Sequence, residues 1–319
     1  MNNLFQLIRN EQMKMYSQIS TWIMFGILAL FIIGFGVFMK VNDSFTNNPA
    51  AAGDDWKQEL QAENEDIKKS MQENAQGGGD FTPPQLEENQ YRIEHNIKPR
   101  TYDVWSFIKD NKNNISIISL FTIIVAAGAI ANEFKWGTIK LLLIRPISRT
   151  KILLAKYLSV LIFALTMLIF LYVLSFITGS ALFGIDGLSQ TYLFKQAGEF
   201  KEAPIFQHTV FQYLLGSVNL LMMATFAFMI SSVFRNSSLA IGVAIFLMMS
   251  GNAIVAFLST KDWAKYILFA NTDLTTFFEG TPIIEDLTLP FSVTVLAVYF
   301  ILFVGLAWGF FTKRDVAST

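Results

Sequence analysis

The sequence predicts an all-α integral membrane protein of six transmembrane helices, with both termini on the cytoplasmic side. Three observations carry this. First, 53% of the 319 residues are hydrophobic and only 15% are charged, against about 45–50% and 25% in soluble domains; the 31 Phe are too many for a soluble core of this size. Second, the apolar residues fall in long blocks rather than in amphipathic stripes. Third, Lys and Arg are distributed unequally between the short loops on the two sides.

A helix crosses the hydrocarbon core with roughly 20 mostly apolar residues. The blocks that qualify are 21–39, 115–131, 152–183 (uncharged from Tyr157 onward), 210–234, 239–258 and 291–311. The first is preceded by Arg9 and Lys14 and followed by Pro49-Ala50-Ala51-Ala52, but its apolar core is too long for a signal peptide, so it reads as a signal anchor. With the N-terminus inside, the short cytoplasmic segments hold Arg9, Lys14, Lys135, Lys140, Arg145, Arg149, Lys151, Lys156, Arg235, Lys313 and Arg314. The short outer loops hold Lys195, Lys201, Lys261 and Lys265. This is the positive-inside pattern. The long loop 40–114 does not enter the count, because long loops cross largely regardless of charge.

Outside the lipid, residues 1–20 place Leu4, Ile8, Met15 and Ile19 at helical spacing among Arg9, Glu11, Gln12 and Lys14, which predicts an amphipathic helix on the inner leaflet. The acidic outer loop 40–114 has two stretches of helix formers, Asp55–Asn74 and Gln85–Asn96, separated by Gly77-Gly78-Gly79 and Pro83-Pro84. A helical hairpin is expected there, as a gating or partner-binding cap or simply a solvated face. Residues 184–209 read as an outer loop and 235–238 as an inner one. In 259–290, Trp263, Tyr266, Phe269, Phe277 and Phe278 favour short re-entrant helices at the outer interface, the alternative being an outer turn packed snugly on the spans. Residues 312–319 form a cytoplasmic tail.

Several chemistries are disfavoured. There is no Cys, and His95 and His208 stand far apart, so neither thiol chemistry nor a metal site is expected. No phosphate-binding loop, nucleophile elbow, HExxH or kinase signature occurs, and no enzyme activity is expected of this chain. A net charge of −1 gives no basic face for nucleic acid. The uncharged block interiors lack the relays that ion-coupled carriers use. Gln212, Ser217 and Asn219 in the fourth span and Ser250 and Asn252 in the fifth are mildly polar; they either line a pathway or join helices by hydrogen bonds of about 0.6 kcal/mol each.

The informative segment follows the second span. Trp136, Ile139, Leu142 and Leu143 form an apolar stripe beside Lys135 and Lys140; Pro146 ends that helix and Ser148 is placed to cap the next. A short helix lying flat on the membrane between two upright ones is shaped to receive force from a soluble partner, while a basic loop serving only topology has the same composition. The run Glu133-Phe-Lys-Trp-Gly-Thr-Ile-Lys140, the leucines after it, Arg145-Pro146-Ile147-Ser148-Arg149 and Lys151-Ile-Leu-Leu-Ala-Lys156 resembles the signature of type 2 ABC exporter permeases, of the bacterial kind with an enlarged first outer loop. Leu7-Ile-Arg-Asn-Glu-Gln-Met-Lys-Met15 is similar to that family's interface helix. The resemblance covers most of the chain. It implies a half-transporter in the cell membrane that pairs with a second permease subunit, identical or related, and with separate ATPase subunits that carry the ATP and magnesium. It also implies that a cytoplasmic coupling helix, with Glu133, Trp136, Gly137, Thr138, Lys140, Arg145, Pro146, Ser148 and Arg149, seats in the ATPase. The cargo would be amphipathic: a peptide, a drug or a lipid. A membrane sensor or scaffold that uses the acidic outer loop without moving cargo is the alternative.

Overall fold

A computed structural model describes residues 2–42, 54–73, 83–138, 147–185, 191–196, 198–284 and 286–313. Helix α1 (Asn2–Tyr16) is followed by α2 (Ile19–Val41), then by α3 (Trp56–Glu73) and α4 (Pro84–His95). Helix α5 (Val104–Asn111) runs through a 3₁₀ turn (Lys112–Asn114) into α6 (Ile115–Lys135). Helix α7 (Arg149–Phe183) leads to strands β1 (Thr191–Gln196) and β2 (Glu199–Pro204), and α8 (Ile205–Phe234) and α9 (Ser237–Leu258) follow. Short turns at Asp262–Tyr266, α10 (Leu268–Asn271) and Leu274–Phe277 precede α11 (Leu289–Lys313).

Six helical stretches among the described residues are long and apolar enough to cross a membrane: α2, α5 with α6, α7, α8, α9 and α11. The surfaces of several confirm their solvent. Trp22 and Leu30 on α2, Met249 and Phe257 on α9, and Ile301 on α11 are all exposed. Apolar faces of this extent are rare on soluble proteins, and they fit lipid. The chain is an all-α membrane protein in its spanning part.

The helices run further than the uncharged blocks. The second stretch starts at Val104 and so contains Lys109, Asp110 and Lys112; the third contains Lys156, two turns from its start; the fourth contains His208. Charges at these depths are kept because each has polar neighbours, described below. The all-α expectation also takes one amendment. Within 184–209, expected as a loop, Thr191–Gln196 and Glu199–Pro204 pair as antiparallel strands in the register Thr191↔Pro204 to Gln196↔Glu199. Between them Gly198 sits at φ 88°, a conformation glycine adopts at little cost. Alternation puts Tyr192 and Phe194 on one face, where both rings pack on His208 with centroids 4.7 and 4.8 Å away.

Two buried clusters hold the bundle. One joins α6, α7, α8, α9 and α11 around Ile130, Val160, Met223 and Phe303; the other joins α2, α5, α6, α7 and α8 around Leu28, Phe107, Phe163 and Met167. Phe107 packs against two helix glycines. A Cβ added to Gly179 of α7 would lie 2.9 Å from its Cδ1, and one added to Gly36 of α2 would lie 3.1 Å from its Cζ. Hydroxyls cross-link the helices as well: Ser231 Oγ donates to Ala127 O at 2.6 Å, and Ser232 Oγ to Ala307 O at 2.9 Å.

Candidate functional site

At the N-terminal end of the bundle, α1, α6 and α7 meet around four charges. Glu11 and Lys14 lie three residues apart on α1 and therefore share a face. Glu133 is in the last turn of α6, and Lys156 is on the second turn of α7. Lys156 Nζ donates to both Glu11 carboxylate oxygens and to Glu133 Oε1, each at 3.0 Å. Lys14 also donates to Glu133 Oε1, and the Thr138 hydroxyl donates to Oε2. The Lys156 side chain is 1% exposed and that of Glu133 4%. An ammonium has three donors and a carboxylate about four acceptor positions, so Lys156 is saturated and both oxygens of Glu133 are engaged. Two positive and two negative charges sum to zero, and the two buried ones, Lys156 and Glu133, are paired with each other and with the more exposed Glu11 and Lys14.

The same residues terminate α6. Trp136 N donates to Asn132 O at 2.9 Å and Gly137 N to Phe134 O at 3.2 Å, with Gly137 at φ 70°. A glycine in the left-handed conformation is a common helix stop. Nothing lies within 4 Å of a Cβ placed there, so backbone conformation alone asks for glycine. The turn leaves Trp136 55% exposed, with Lys14 Nζ 5.7 Å from its ring centroid. The Arg235 guanidinium, in the tight connection between α8 and α9, stacks 4.2 Å from the Phe134 ring. Ser148 occupies the N-cap position of α7, but its side chain makes no capping bond; its carbonyl instead accepts from Lys151 N at 3.0 Å. Arg149 Nη1 donates to Thr312 O at 3.0 Å, tying the start of α7 to the end of α11.

The structure therefore gathers Glu133, Trp136, Gly137 and Thr138 at one exposed turn and sets Ser148 and Arg149 at the foot of α7. Lys140, Arg145 and Pro146, with the apolar stripe of Ile139, Leu142 and Leu143, lie outside the described residues. Glu11 and Lys156 were missed as site residues, because in sequence they are single charges flanking apolar blocks. The one readable signal was Lys156 beside the uncharged stretch that begins at Tyr157, a costly place for a charge without a counter-charge. Beside the cluster is a cavity of about 240 Å³. It is bounded by Lys14, Thr21, Met24, Val125, Asn132 and Ser159, and the buried Ser159 hydroxyl has no hydrogen-bond partner among the described residues.

The polar span residues do not converge. Gln212 is buried, and its Oε1 accepts from Lys112 Nζ at 3.1 Å. Ser217 and Ser250 donate to Leu214 O and Phe246 O of their own helices, both at 2.7 Å. Asn219 is half-buried, and Asn252 is exposed on α9. No hydrogen bond joins any two of the five. Gln212 belongs instead to a second polar group at the opposite end of the bundle, with Lys109, Lys112, His208 and Glu279. His208 Nε2 lies 2.7 Å from Glu279 Oε1. Burial alone raises the Glu279 carboxyl, but His208 and the charges of Lys109 and Lys112 outweigh it and hold the group below its ordinary value.

Residues 88–317 match a family model described as a protein of unknown function, DUF2705. The chain belongs to that family. It is 47% identical over 322 aligned positions to the uncharacterized protein YhcI of Bacillus subtilis strain 168, covering 99% of this chain and all of that one. It is 30% identical over 207 positions to YdbK of the same organism, covering 63% of this chain and 78% of the relative, whose name describes an uncharacterized membrane protein. With six apolar helices of spanning length, this chain is a multi-pass membrane protein.

Proposed function

We propose that this chain is the membrane-spanning permease subunit of an ATP-driven exporter, oriented with both termini in the cytoplasm of a cell membrane. Two permease subunits form the pathway, and separate ABC ATPase subunits supply the energy. The reading rests on the turn at Glu133–Thr138. It presents an exposed Trp136 to a soluble partner, and the same turn is bonded through Glu133 to α1 and α7. A push on the segment that begins there is carried by Glu133 and Lys156 into a spanning helix and an interface helix together, as rigid-body motion requires. The ATPase binds the nucleotide and its magnesium. This chain holds the receiving surface and transmits the displacement, and an amphipathic cargo is the substrate.

The test is co-purification of the full-length tagged chain from its native membrane in mild detergent. An ABC-type ATPase with measurable ATP hydrolysis is expected to accompany the wild type, and Trp136→Glu is expected to lose it while keeping the wild-type helical content. A wild-type chain that purifies free of any ATPase, or a Trp136→Glu complex with unchanged hydrolysis and transport, overturns the proposal.

A further inference from the structure

At the end of the bundle remote from α1, a cavity of about 480 Å³ opens between α3, α4, α5 and β1. That lies within the range of small-molecule sites, roughly 300–1,000 Å³. Six charged side chains line it: Glu63, Glu88, Arg92, Arg100, Lys109 and Asp110. Their bonding separates those already committed from those still open. Arg92 is committed, since its Nε and Nη2 both donate to Glu88 Oε1, at 3.0 and 2.7 Å. Asp110 is held by the Tyr102 hydroxyl, from which it accepts at 2.7 Å, though no cation pairs with it among the described residues.

Three groups remain open. Arg100 reaches Asp103 through Nη2 alone, at 2.7 Å. Asp103 itself is fully buried, and its other oxygen caps α5 by accepting from Trp105 N and Ser106 N, both at 3.1 Å. Arg100 Nε is thus buried with no partner among the described residues. Lys109 has the Tyr192 hydroxyl and lies 4.3 Å from the centre of its ring, but no carboxylate is within ion-pair distance among the described residues. Glu63 has the opposite imbalance. Among the described residues its oxygens accept only from neutral amides, Gln85 at 2.8 Å and Asn89 at 3.2 Å.

A chamber with two cations retaining donors, two carboxylates without a cation among the described residues, of which Asp110 is held by Tyr102 and Glu63 faces only amides, and aromatic walls at Tyr102, Trp105 and Tyr192 complements one kind of molecule. We propose that this cavity binds a small zwitterion, its anionic group held by Arg100 and Lys109 and its cationic group by Glu63. A lone anion would leave Glu63 unmatched and a lone cation would leave Arg100 and Lys109 unmatched. Such a molecule is either a free zwitterion such as a short peptide or the headgroup of a zwitterionic lipid. The site does not depend on whether an ATPase couples to the other end.

The experiment is binding of the dipeptide Phe-Ala to the full-length chain in dodecyl maltoside by isothermal titration, beside N-acetyl-Phe-Ala, Phe-Ala amide and acetate. A parallel lipid assay measures the phosphatidylethanolamine retained through purification. A charge-assisted hydrogen bond is worth about 1.5–3 kcal/mol, so loss of either ligand charge should weaken binding by roughly 10- to 150-fold. Lys109→Gln and Glu63→Gln, neither of which removes the α5 cap, should do the same. Phe-Ala binding with these dependences supports a free zwitterion. Retained phosphatidylethanolamine that both variants lose, with no Phe-Ala binding, supports the headgroup. Binding of neither, binding indifferent to both substitutions, or acetate binding as tightly as Phe-Ala would overturn the proposal.

Discussion

Replacing Lys156 with Met tests whether the four-charge cluster holds α1, α6 and α7 together. Lys156 is 1% exposed and donates to three carboxylate oxygens at 3.0 Å. Breaking a buried ion pair by removing one partner costs about 3–5 kcal/mol. Here the lower end applies, because Glu133 keeps Lys14 and Thr138, and Glu11, at 22% exposure, can turn toward water. The expected loss is about 3 kcal/mol, or a factor of roughly 150 in the unfolding equilibrium. Glu133→Leu alone leaves Lys156 with Glu11 and frees the exposed Lys14, so about 2 kcal/mol is expected, the worth of hydrogen bonds to charged groups. The Lys156→Met/Glu133→Leu double variant removes both buried charges and should lose less than the sum, by about 1–3 kcal/mol. The measurement is unfolding of the purified chain in dodecyl maltoside on titration with sodium dodecyl sulfate, followed by far-ultraviolet circular dichroism. A single variant within about 0.5 kcal/mol of wild type, the scatter of surface substitutions, or a strictly additive double variant, would refute the idea that these charges act as a unit.

Three further outcomes follow from the structure. Gly137→Ala has space for its methyl but not the backbone conformation, at φ 70°, and should cost about 1–2 kcal/mol in the same titration; a neutral result means the turn relaxes freely. Gly179→Leu drives a side chain against Phe107, whose Cδ1 would lie 2.9 Å from the new Cβ, and should lose about 1–3 kcal/mol by overpacking, whereas Gly305→Leu, with nothing within 4 Å, should stay near wild type. Glu279 is held below its ordinary value in the fold, so its contribution is present above the unfolded carboxyl value of about 4.3 and is lost as pH falls through the lower folded value. Wild type should therefore melt above Glu279→Gln at neutral pH, with the gap closing as pH is lowered past that value; a gap constant from pH 7 to pH 3 contradicts the assignment.

What the sequence reveals and what it hides divide along one physical line. The bilayer acts on each segment separately, because every helix must be long and apolar enough on its own. Composition therefore exposes the six spanning stretches before any contact is known. The cluster is the opposite case. Glu11 lies 145 positions from Lys156, and Glu133 lies 23 positions from it, so each reads as an ordinary charge near a membrane boundary until packing brings them within 3.0 Å. Lys156 nonetheless carries a local trace of its partners, since an ammonium buried among apolar residues persists only where carboxylates meet it. The same reasoning explains the far end. Lys109, Asp110, Lys112 and His208 lie just outside the uncharged blocks, and the β1–β2 hairpin covers His208 with Tyr192 and Phe194 and meets Lys109 through Tyr192. A two-stranded hairpin is marginal by itself, and here it is packed against α8, which is why its strands read as loop. In this fold, a charge that interrupts or closely flanks an apolar helix marks where another element must pack. The two positions that follow this rule most closely, Lys156 at one end and Lys109 at the other, are the centres of the two polar sites.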